Sequence, residues 1–315
     1  MKLLTFSLAD DPTPRLGMVK NGFVIDVPRA FSATFHGKSP DWFSSASSLL
    51  QGDGKAMDLL SELERGTSRE LRKESDHQGF VFSSDKIVFH PIISGAPKIF
   101  CVAVNYAAHA VASSTVTLDE PYVFIKFPNN LIGNNSPILL SKSSKKCDSE
   151  IELGVVIGKK GKYISRDKAM EYVAGYTVFN DVSYRDRRLN KSDPTRTNWL
   201  HLKNLDSAAP AGPWIATKDE VPDPYKLTIK LELLDRNGGV QEIQGGSTSD
   251  MTHDISEIIE YISNGVTLSP GDIIATGTPH KIAFGKDRYL KEGDIVRADI
   301  QNVGTLVNPV QSESI

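Results

Sequence analysis

The chain has 315 residues, of which 39% are apolar and 24% charged, and its formal net charge is −3. This is the composition of an ordinary globular protein, and because the sequence contains no interleaved basic and aromatic run we expect no nucleic acid as a partner. No apolar stretch approaches the ~18 residues of a membrane helix, and the first residues lack a signal peptide's apolar core, so we expect no membrane association and a cytoplasmic location.

The N-terminal part of the sequence predicts a small β-rich domain. Three short apolar segments predict strands, at residues 2–6, 16–19 and 23–27. The pair Asn21-Gly22 between the last two is a strong signal for a hairpin turn. A helix is predicted near residues 55–64, and a charged segment follows it. We therefore predict a small domain at residues 1–90 and a second domain at residues 91–315.

Two glutamates one residue apart, Glu150 and Glu152, lie at the start of an apolar segment that predicts a strand. Residues i and i+2 of a strand face the same side, so both carboxylates are expected to point to one place while Ile151 and Leu153 pack on the other side. Like charges this close are unfavourable in a cleft unless a cation lies between them, so the pair indicates half of a Mg²⁺ or Mn²⁺ site. The spacing alone also fits an exposed charged strand face, which is the commoner case.

A second apolar segment, residues 172–179, predicts a strand that runs into Asp181, where a third carboxylate could complete the site. Residues 165–172 predict a short helix with Ser165 as its N-cap, so the unit is strand, helix, strand, and its strands could be neighbours. Three carboxylates, with water in the remaining positions, are an ordinary ligand set for a hard divalent ion.

The C-terminal half predicts a β-rich fold. Residues 254–265 have the apolar spacing and the capping residues of an amphipathic helix. The turns at residues 270–272 and 292–294 each precede an apolar strand, which favours a mixed β-roll. Residues 276–279 predict a turn in which Gly277 would let the backbone approach a ligand closely, although a plain surface turn is an equal alternative.

In combination and order, these motifs resemble the fumarylacetoacetate hydrolase family. The matching stretches are residues 104–110, 148–158, 172–186, 206–214 and 268–279, which together span about residues 98–310. The resemblance implies an α+β, β-rich fold in which a mixed β-roll or β-sandwich forms the catalytic domain behind a small N-terminal β domain. It also implies a homodimer and a small-molecule 2-oxo acid substrate.

The resemblance assigns a role to each residue that matches a family motif. The metal ligands would be Glu150, Glu152 and Asp181, and the ion would be Mg²⁺, Mn²⁺ or Ca²⁺. The catalytic residues would be His109 as general base, Lys203 as active-site cation and Arg185 near the developing oxyanion. Thr278 would contact the substrate carboxylate, and the other substrate-binding residues would be Gly277, Tyr106 and Arg188. Without the family pattern, a lone lysine or arginine is usually a solvated charge.

Two positions depart from the family pattern. Family hydrolases commonly carry a glutamate three residues after the histidine, but here that position is Ala112. We predict that Glu120 or Asp119, further along the same loop, replaces this carboxylate. Relatives often carry a glutamine where this chain has Arg188, and the extra cation indicates a more anionic substrate such as a dicarboxylate.

The expected activity is metal-dependent hydrolysis of a carbon–carbon bond in a 1,3-diketo acid of the acylpyruvate or fumarylacetoacetate type, through a metal-bound enolate. If no carboxylate replaces Ala112, water activation weakens. A 2-oxo acid decarboxylase or an isomerase (tautomerase), acting on a substrate such as oxaloacetate or 2-hydroxyhepta-2,4-diene-1,7-dioate, then fits the same site better. A third alternative is a binding protein that has lost catalysis, but the intact set of Glu150, Glu152, Asp181 and Lys203 argues against it.

Overall fold

The computed structural model describes residues 1–52, 54–70, 79–106, 118–187, 198–279 and 288–314. The strands in these residues are β1 (Lys2–Leu8), β2 (Arg15–Lys20), β3 (Phe23–Asp26), β4 (Val81–Ser83), β5 (Ile87–Phe89), β6 (Ile99–Ala103), β7 (Tyr122–Lys126), β8 (Leu131–Ile132), β9 (Ile138–Leu140), β10 (Cys147–Asp148), β11 (Ile151–Ile157), β12 (Val173–Asn180), β13 (Ser183–Tyr184), β14 (Ala209–Thr217), β15 (Thr228–Leu234), β16 (Val240–Ser247), β17 (Ile273–Ala275), β18 (Ile295–Ile300) and β19 (Gly304–Ser312). The α-helices are α1 (Val27–Phe35), α2 (Ala46–Gln51), α3 (Gly54–Glu70), α4 (Trp199–Lys203) and α5 (Ile255–Gly265). Short 3₁₀ segments lie at Asp41–Ser44, Ser84–Lys86, Pro128–Asn130, Arg166–Tyr172, Arg185–Arg187 and Thr248–Asp250.

The strands described above form a twelve-stranded sheet, a five-stranded sheet and a two-stranded sheet. The backbone of the large sheet runs in the order β4-β3-β2-β1-β14-β12-β11-β17-β6-β7, and that of the five-stranded sheet in the order β16-β15-β18-β19-β9. One hydrophobic cluster contains side chains of both, such as Leu153 and Val178 from the large sheet and Leu231 and Ala298 from the smaller one. The predicted α+β, β-rich fold with packed sheets is therefore confirmed.

The predicted N-terminal strands are confirmed as β1, β2 and β3. The turn between β2 and β3 has Asn21 at φ 51° and Gly22 at φ 82°, the left-handed backbone that a two-residue hairpin turn requires. The sequence prediction omits helices α1 and α2. Each is only six to nine residues long, and side-chain caps from Asp26 and Ser45 support their first turns.

The N-terminal strands extend the same sheet that carries the central part of the chain. Strand β1 pairs antiparallel with β14, with Lys2 opposite Ala216 and Leu3 opposite Ile215. Leu3 and Ile215 also belong to one hydrophobic cluster. The division into domains at residues 1–90 and 91–315 stays a prediction.

Two predicted helices have different outcomes. Helix α5 is confirmed, and its N-cap Asp254 accepts a hydrogen bond from the Glu257 backbone N–H at 2.8 Å. The short helix predicted at residues 165–172 is present as a 3₁₀ helix at Arg166–Tyr172, but the Ser165 side chain makes no capping hydrogen bond there. The described residues contain no helix that is long and apolar enough to cross a membrane.

Strand β11 positions the site because it is paired on both sides. It is antiparallel to β12 on one side and to β17 on the other, and every residue from Ile151 to Ile157 is buried. This pairing rules out the exposed strand face that the spacing of Glu150 and Glu152 alone also allowed. It also brings the chain after β17 next to β11, since the Thr276 backbone N–H donates to the Leu153 carbonyl at 3.1 Å.

Candidate metal centre

Three buried carboxylates meet at the start of β11 and the end of β12. One oxygen each of Glu150, Glu152 and Asp181 lies within 4.8 Å of the others. Their exposed fractions are 4%, 2% and 1%. The backbone fixes their relation, because the Asp181 N–H donates to the Glu150 carbonyl at 2.8 Å and the Glu150 N–H donates to Asn180 Oδ1 at 3.0 Å. The structure thus brings together the three residues predicted as metal ligands.

Without a bound cation, the ionised form of Glu152 is unfavourable. Burial raises its pKa well above the ordinary range, and the negative charges of Asp181 and Glu150 raise it further. The Lys203 charge and a 2.7 Å hydrogen bond from the Gly277 backbone N–H offset only part of this effect. A cluster of this kind binds either a proton or a cation. Its donor set consists of carboxylate oxygens, so it fits a hard divalent ion such as Mg²⁺, Mn²⁺ or Ca²⁺.

We expect the affinity of the protein for Mn²⁺ to rise with pH, because a divalent ion and a proton compete for Glu152. The sign follows from the raised pKa: Glu152 holds a proton at low pH, and the ion must displace it. Calorimetric titration of Mn²⁺ into metal-free protein at several values between about pH 5 and pH 8, in buffers of different ionisation enthalpy, measures both the affinity and the protons released.

Glu152→Gln is the matched control for this titration, since it keeps the shape of the side chain and removes its proton equilibrium. The variant should bind Mn²⁺ more weakly and release fewer protons. A wild-type affinity that does not change with pH would contradict the expectation.

Lys203 lies against two of the three carboxylates. Its ammonium donates to Glu150 Oε2 at 2.7 Å and also to Asp181 Oδ2, and it lies 5.3 Å from the centre of the Phe124 ring. Burial alone lowers the pKa of Lys203, but the charges of Asp181 and Glu150 outweigh burial and raise it above its ordinary value. The group is therefore a permanent cation. It lies at the end of α4, a helix that the sequence did not predict.

Arg185 contacts one of these carboxylates, Glu150, and also Asp148. Its Nε donates to Asp148 Oδ2 at 2.9 Å, and a second guanidinium nitrogen donates to Glu150 Oε1. Burial lowers the pKa of Arg185, but the charges of Glu150 and Asp148 more than reverse the effect. The structure places Arg185 against the ligand cluster, and its predicted role at an oxyanion stays a prediction.

Lys126 is a third cation at the cluster, and the sequence reasoning missed it. Its side chain is completely buried, and its ammonium donates to Asp181 Oδ1 at 2.7 Å and to the Val182 carbonyl at 3.1 Å. Both oxygens of Asp181 therefore carry an ammonium group, from Lys126 and Lys203. The available signal is a lysine that ends the apolar segment of β7, since a lysine is almost never fully buried unless it is paired.

The turn after β17 contributes a backbone group to the cluster, the Gly277 N–H that donates to Glu152. Gly277 has φ 95°, and a Cβ there would lie 2.7 Å from Asn105 Cβ, so no other residue fits without strain. The Thr278 hydroxyl donates to the Ile151 carbonyl at 2.8 Å and accepts from Gln244 Nε2 at 2.6 Å. Gln244, a buried residue that the sequence did not single out, thus holds this turn against β11. Substrate contacts of Gly277 and Thr278 stay predictions.

Of the remaining predicted site residues, two lie within the described part of the chain and two lie outside it. Tyr106 is buried, with 1% of its surface exposed, and ends the described segment before residue 107. Glu120 is exposed, so its proposed replacement of the missing glutamate has no support from its position. His109 and Arg188 lie outside the described residues, as does Ala112.

Comparison with known proteins connects this geometry to one family. The family model described as "Fumarylacetoacetate (FAA) hydrolase C-terminal" matches residues 98–311. Over 314 residues the chain is 33% identical to "Oxaloacetate tautomerase fahd2, mitochondrial" of Xenopus laevis, with 98% of this chain and 90% of that protein covered. Over 262 residues it is 35% identical to "2,4-didehydro-3-deoxy-L-rhamnonate hydrolase" of Sphingomonas sp. (strain SKA58), with 82% and 89% covered.

A solved structure shares the fold over its whole length. It is maleylpyruvate hydrolase from Sphingobium sp. SYK-6 in complex with a manganese(II) ion and pyruvate, which has 25% sequence identity and a TM-score of 0.72, with 100% of both chains covered. That relative binds a divalent ion and a 2-oxo acid together. The acidic cluster of the present chain has the donor set that such an ion requires.

Proposed function

The chain belongs to the fumarylacetoacetate (FAA) hydrolase family, and from this premise we propose that it interconverts the keto and enol forms of a 2-oxo dicarboxylic acid of the oxaloacetate type, with the help of a divalent metal ion. The observation that carries the proposal is the buried cluster of Glu150, Glu152 and Asp181 with cations around it. With a divalent ion bound, such a site can hold an anion and stabilise additional negative charge on it.

The charges around the cluster favour an anionic ligand. Among the described residues, the four carboxylates face three cations, Lys126, Lys203 and Arg185; the carboxylates are Glu150, Glu152, Asp181 and Asp148. One negative charge is left over, and a bound divalent ion would turn this into one positive charge. A 2-oxo acid brings the negative charge that balances it. Arg188 would add a further cation for a second carboxylate.

Tautomerisation moves one proton, and the residues can be assigned to that task. A divalent ion bound by the carboxylates would act as a Lewis acid on the 2-oxo group. A base, for which we keep His109, removes a proton from C3, and a proton is added at the oxygen on C2 to give the enol. Lys203 supplies a permanent positive charge where negative charge develops on that oxygen.

Two observations favour tautomerisation over hydrolysis. Hydrolysis needs an activated water, but Ala112 stands where family hydrolases have a glutamate, and Glu120 is exposed. The Xenopus laevis relative, named as an oxaloacetate tautomerase, aligns with 98% of this chain. Hydrolysis of a carbon–carbon bond in a 1,3-diketo acid is the second candidate, because a maleylpyruvate hydrolase shares the fold and a rhamnonate-type hydrolase is 35% identical.

The test compares oxaloacetate and an acylpyruvate as substrates for the Mn²⁺-loaded protein. We expect the enol form of oxaloacetate to disappear faster than in buffer, without release of pyruvate, and the acylpyruvate to remain intact. His109→Ala should slow tautomerisation by about 10²- to 10⁴-fold, the contribution of a general base. Ultraviolet absorbance follows the enol, and a coupled lactate dehydrogenase assay detects pyruvate.

Two results would overturn this choice. Faster cleavage of the acylpyruvate than tautomerisation of oxaloacetate would support the hydrolase, and release of pyruvate from oxaloacetate would support a decarboxylase. Inactivity of the metal-loaded protein on both substrates would contradict the enzyme proposal for this substrate class.

We also propose, from the resemblance, that the protein is a homodimer and that Mg²⁺ is its ion. Light scattering on the purified protein tests the first, and competition between Mg²⁺, Mn²⁺ and Ca²⁺ tests the second. A cytoplasmic location stays a prediction, since the Xenopus laevis relative is named as mitochondrial.

A further inference from the structure

His253 connects two parts of the chain that lie far apart in the sequence. Its side chain is buried, and both of its ring nitrogens have partners. Nε2 lies 3.0 Å from the Leu118 carbonyl oxygen, and Nδ1 lies 2.9 Å from Glu257 Oε1. A carbonyl oxygen only accepts hydrogen bonds, so Nε2 must carry a proton and donate it to Leu118. The contact with Glu257 on the opposite nitrogen fixes the orientation of the ring.

The backbone of His253 is bonded to Asn105 at the same time. Its N–H donates to Asn105 Oδ1 at 2.8 Å, and its carbonyl accepts from Asn105 Nδ2 at 3.0 Å. The Thr252 N–H donates to the Asn105 carbonyl at 2.8 Å. Asn105 is completely buried, so water does not compete for these bonds. The two residues are therefore held in one relative position.

His253 thus holds both sides of the segment that carries His109 in the sequence. Asn105 precedes residues 107–117, which lie outside the described residues, and Leu118 is the first described residue after them. Asn105 Nδ2 also donates to the Thr276 carbonyl at 2.7 Å, and the next residue, Gly277, donates to Glu152 at 2.7 Å. Both sides of the segment are therefore bonded to a framework that includes one of the three carboxylates.

We propose that His253 is a positioning residue for the general base: its Nε2–H holds the Leu118 carbonyl and, with the backbone pair to Asn105, sets where the segment that carries His109 begins and ends. The inference rests on the proposed function, because it takes His109 as the base from it. A base must lie within hydrogen-bond reach of the proton that it removes, and a displacement of about 1 Å can cost about 10²-fold in rate. His253 would therefore act on proton transfer and not on binding of the metal ion.

His253→Phe tests this role, because it keeps a flat ring and removes both ring hydrogen bonds. We expect kcat for oxaloacetate to fall about 10- to 10²-fold, while KM and the Kd for Mn²⁺ stay as in the wild type. In the His109→Ala background the same change should cause no further loss of kcat, because both residues act on one proton transfer. A merely structural role would lower kcat in both backgrounds.

Two milder variants keep the test informative if His253→Phe does not fold. His253→Gln should retain more kcat than His253→Phe, because its amide N–H can take the place of Nε2–H. Glu257→Ala leaves His253 in place and removes only the partner of Nδ1, so it should lower kcat in the same direction but less.

His90→Phe is the matched control. His90 is a half-buried histidine whose Nε2 also bonds a residue distant in sequence, Ser7 Oγ at 2.9 Å. This bond lies between the residue after β5 and strand β1, in the N-terminal part of the large sheet. Both histidine variants should melt at a lower temperature than the wild type, but only His253→Phe should lose kcat.

The nitrogen NMR spectrum of protein labelled with ¹⁵N in its histidines gives a readout that needs no substrate. The signals of His253 are identified by their loss in His253→Gln, and those of His109 by their loss in His109→Ala. We expect Nε2 of His253 to be protonated in the wild type. The His109 signals should shift in His253→Phe, because one side of the segment is released, and stay in place in His90→Phe.

The outcomes separate this inference from the proposed function. If the wild type does not act on oxaloacetate but the His109 signals shift in His253→Phe, the proposed function is wrong and the positioning of His109 stands. If the wild type is active and His253→Phe keeps its kcat, or loses kcat equally in the His109→Ala background, the inference is overturned. An unprotonated Nε2 of His253, or His109 signals that do not move in His253→Phe, would also overturn it.

Discussion

Replacing Asp181 with asparagine should weaken Mn²⁺ binding by more than about 100-fold and lower turnover by about 10³-fold. The first effect follows because the amide replaces an anionic ligand oxygen in a cluster of only three carboxylates. The second follows because the Lewis acid is lost from the site. Calorimetry with Mn²⁺ and the oxaloacetate assay measure the two effects separately.

The same substitution should also destabilise the fold. Asp181 is 1% exposed and holds the ammonium groups of Lys126 and Lys203, one on each oxygen. Removing one partner of a buried ion pair costs about 3–5 kcal/mol, because the remaining charge stays buried. Urea denaturation of the metal-free protein should therefore show a lower free energy of unfolding.

Asp272→Asn separates the metal effect from the stability effect. Asp272 is also a buried aspartate with a lysine partner, since it lies 2.9 Å from Lys98, but it precedes β17 and is not part of the cluster. This variant should lose stability and keep its Mn²⁺ affinity. If Asp181→Asn also kept its Mn²⁺ affinity, the proposed metal site would be wrong.

Replacing Lys203 with methionine should lower turnover by about 10²- to 10³-fold, the effect of removing one group that stabilises a developing negative charge. Binding of Mn²⁺ should be retained or become tighter, because a positive charge is removed from beside Glu150 and Asp181. Steady-state kinetics on oxaloacetate should show the loss mainly in kcat, and calorimetry gives the affinity for Mn²⁺.

Lys126→Met is the matched comparison, because both lysines bind the same aspartate. Lys126 is completely buried and has a backbone carbonyl as its second partner, whereas both hydrogen-bond partners of Lys203 are predicted metal ligands. We expect Lys126→Met to lose more stability and less turnover than Lys203→Met. The reverse order would contradict the assignment of Lys203 as the cation that acts on the substrate.

Local sequence pattern indicated that the carboxylates lie close together, and the family resemblance was needed to prefer a metal site over an exposed strand face. The period of two in a strand placed Glu150 and Glu152 together, and the end of the next strand placed Asp181 beside them. The pattern could not predict that these carboxylates are buried. Burial of the pair depends on β11 being flanked by β12 and β17, and β17 is separated from β11 by more than a hundred residues of sequence.

The positions of the cations could be predicted from local sequence even less well. Lys126 ends β7, a strand at the far end of the large sheet, and no local periodicity connects it with Asp181. Lys203 lies in a segment for which no helix was predicted, and only the family resemblance drew attention to it. Gln244 and Asn105 act through hydrogen bonds to distant backbone groups, which a residue pattern does not record.

The pairing of β1 with β14 has a consequence for how the protein can be divided. Residues 98–311 match the family model, yet a fragment without the first ninety residues would lose the strand next to β14. It would also uncover apolar side chains such as Ile215 of β14, which lies opposite Leu3 and belongs to the same hydrophobic cluster. An unpaired strand edge beside newly exposed apolar side chains favours intermolecular pairing and aggregation. The N-terminal segment thus covers the edge of β14, the strand that lies next to β12 and its predicted metal ligand Asp181.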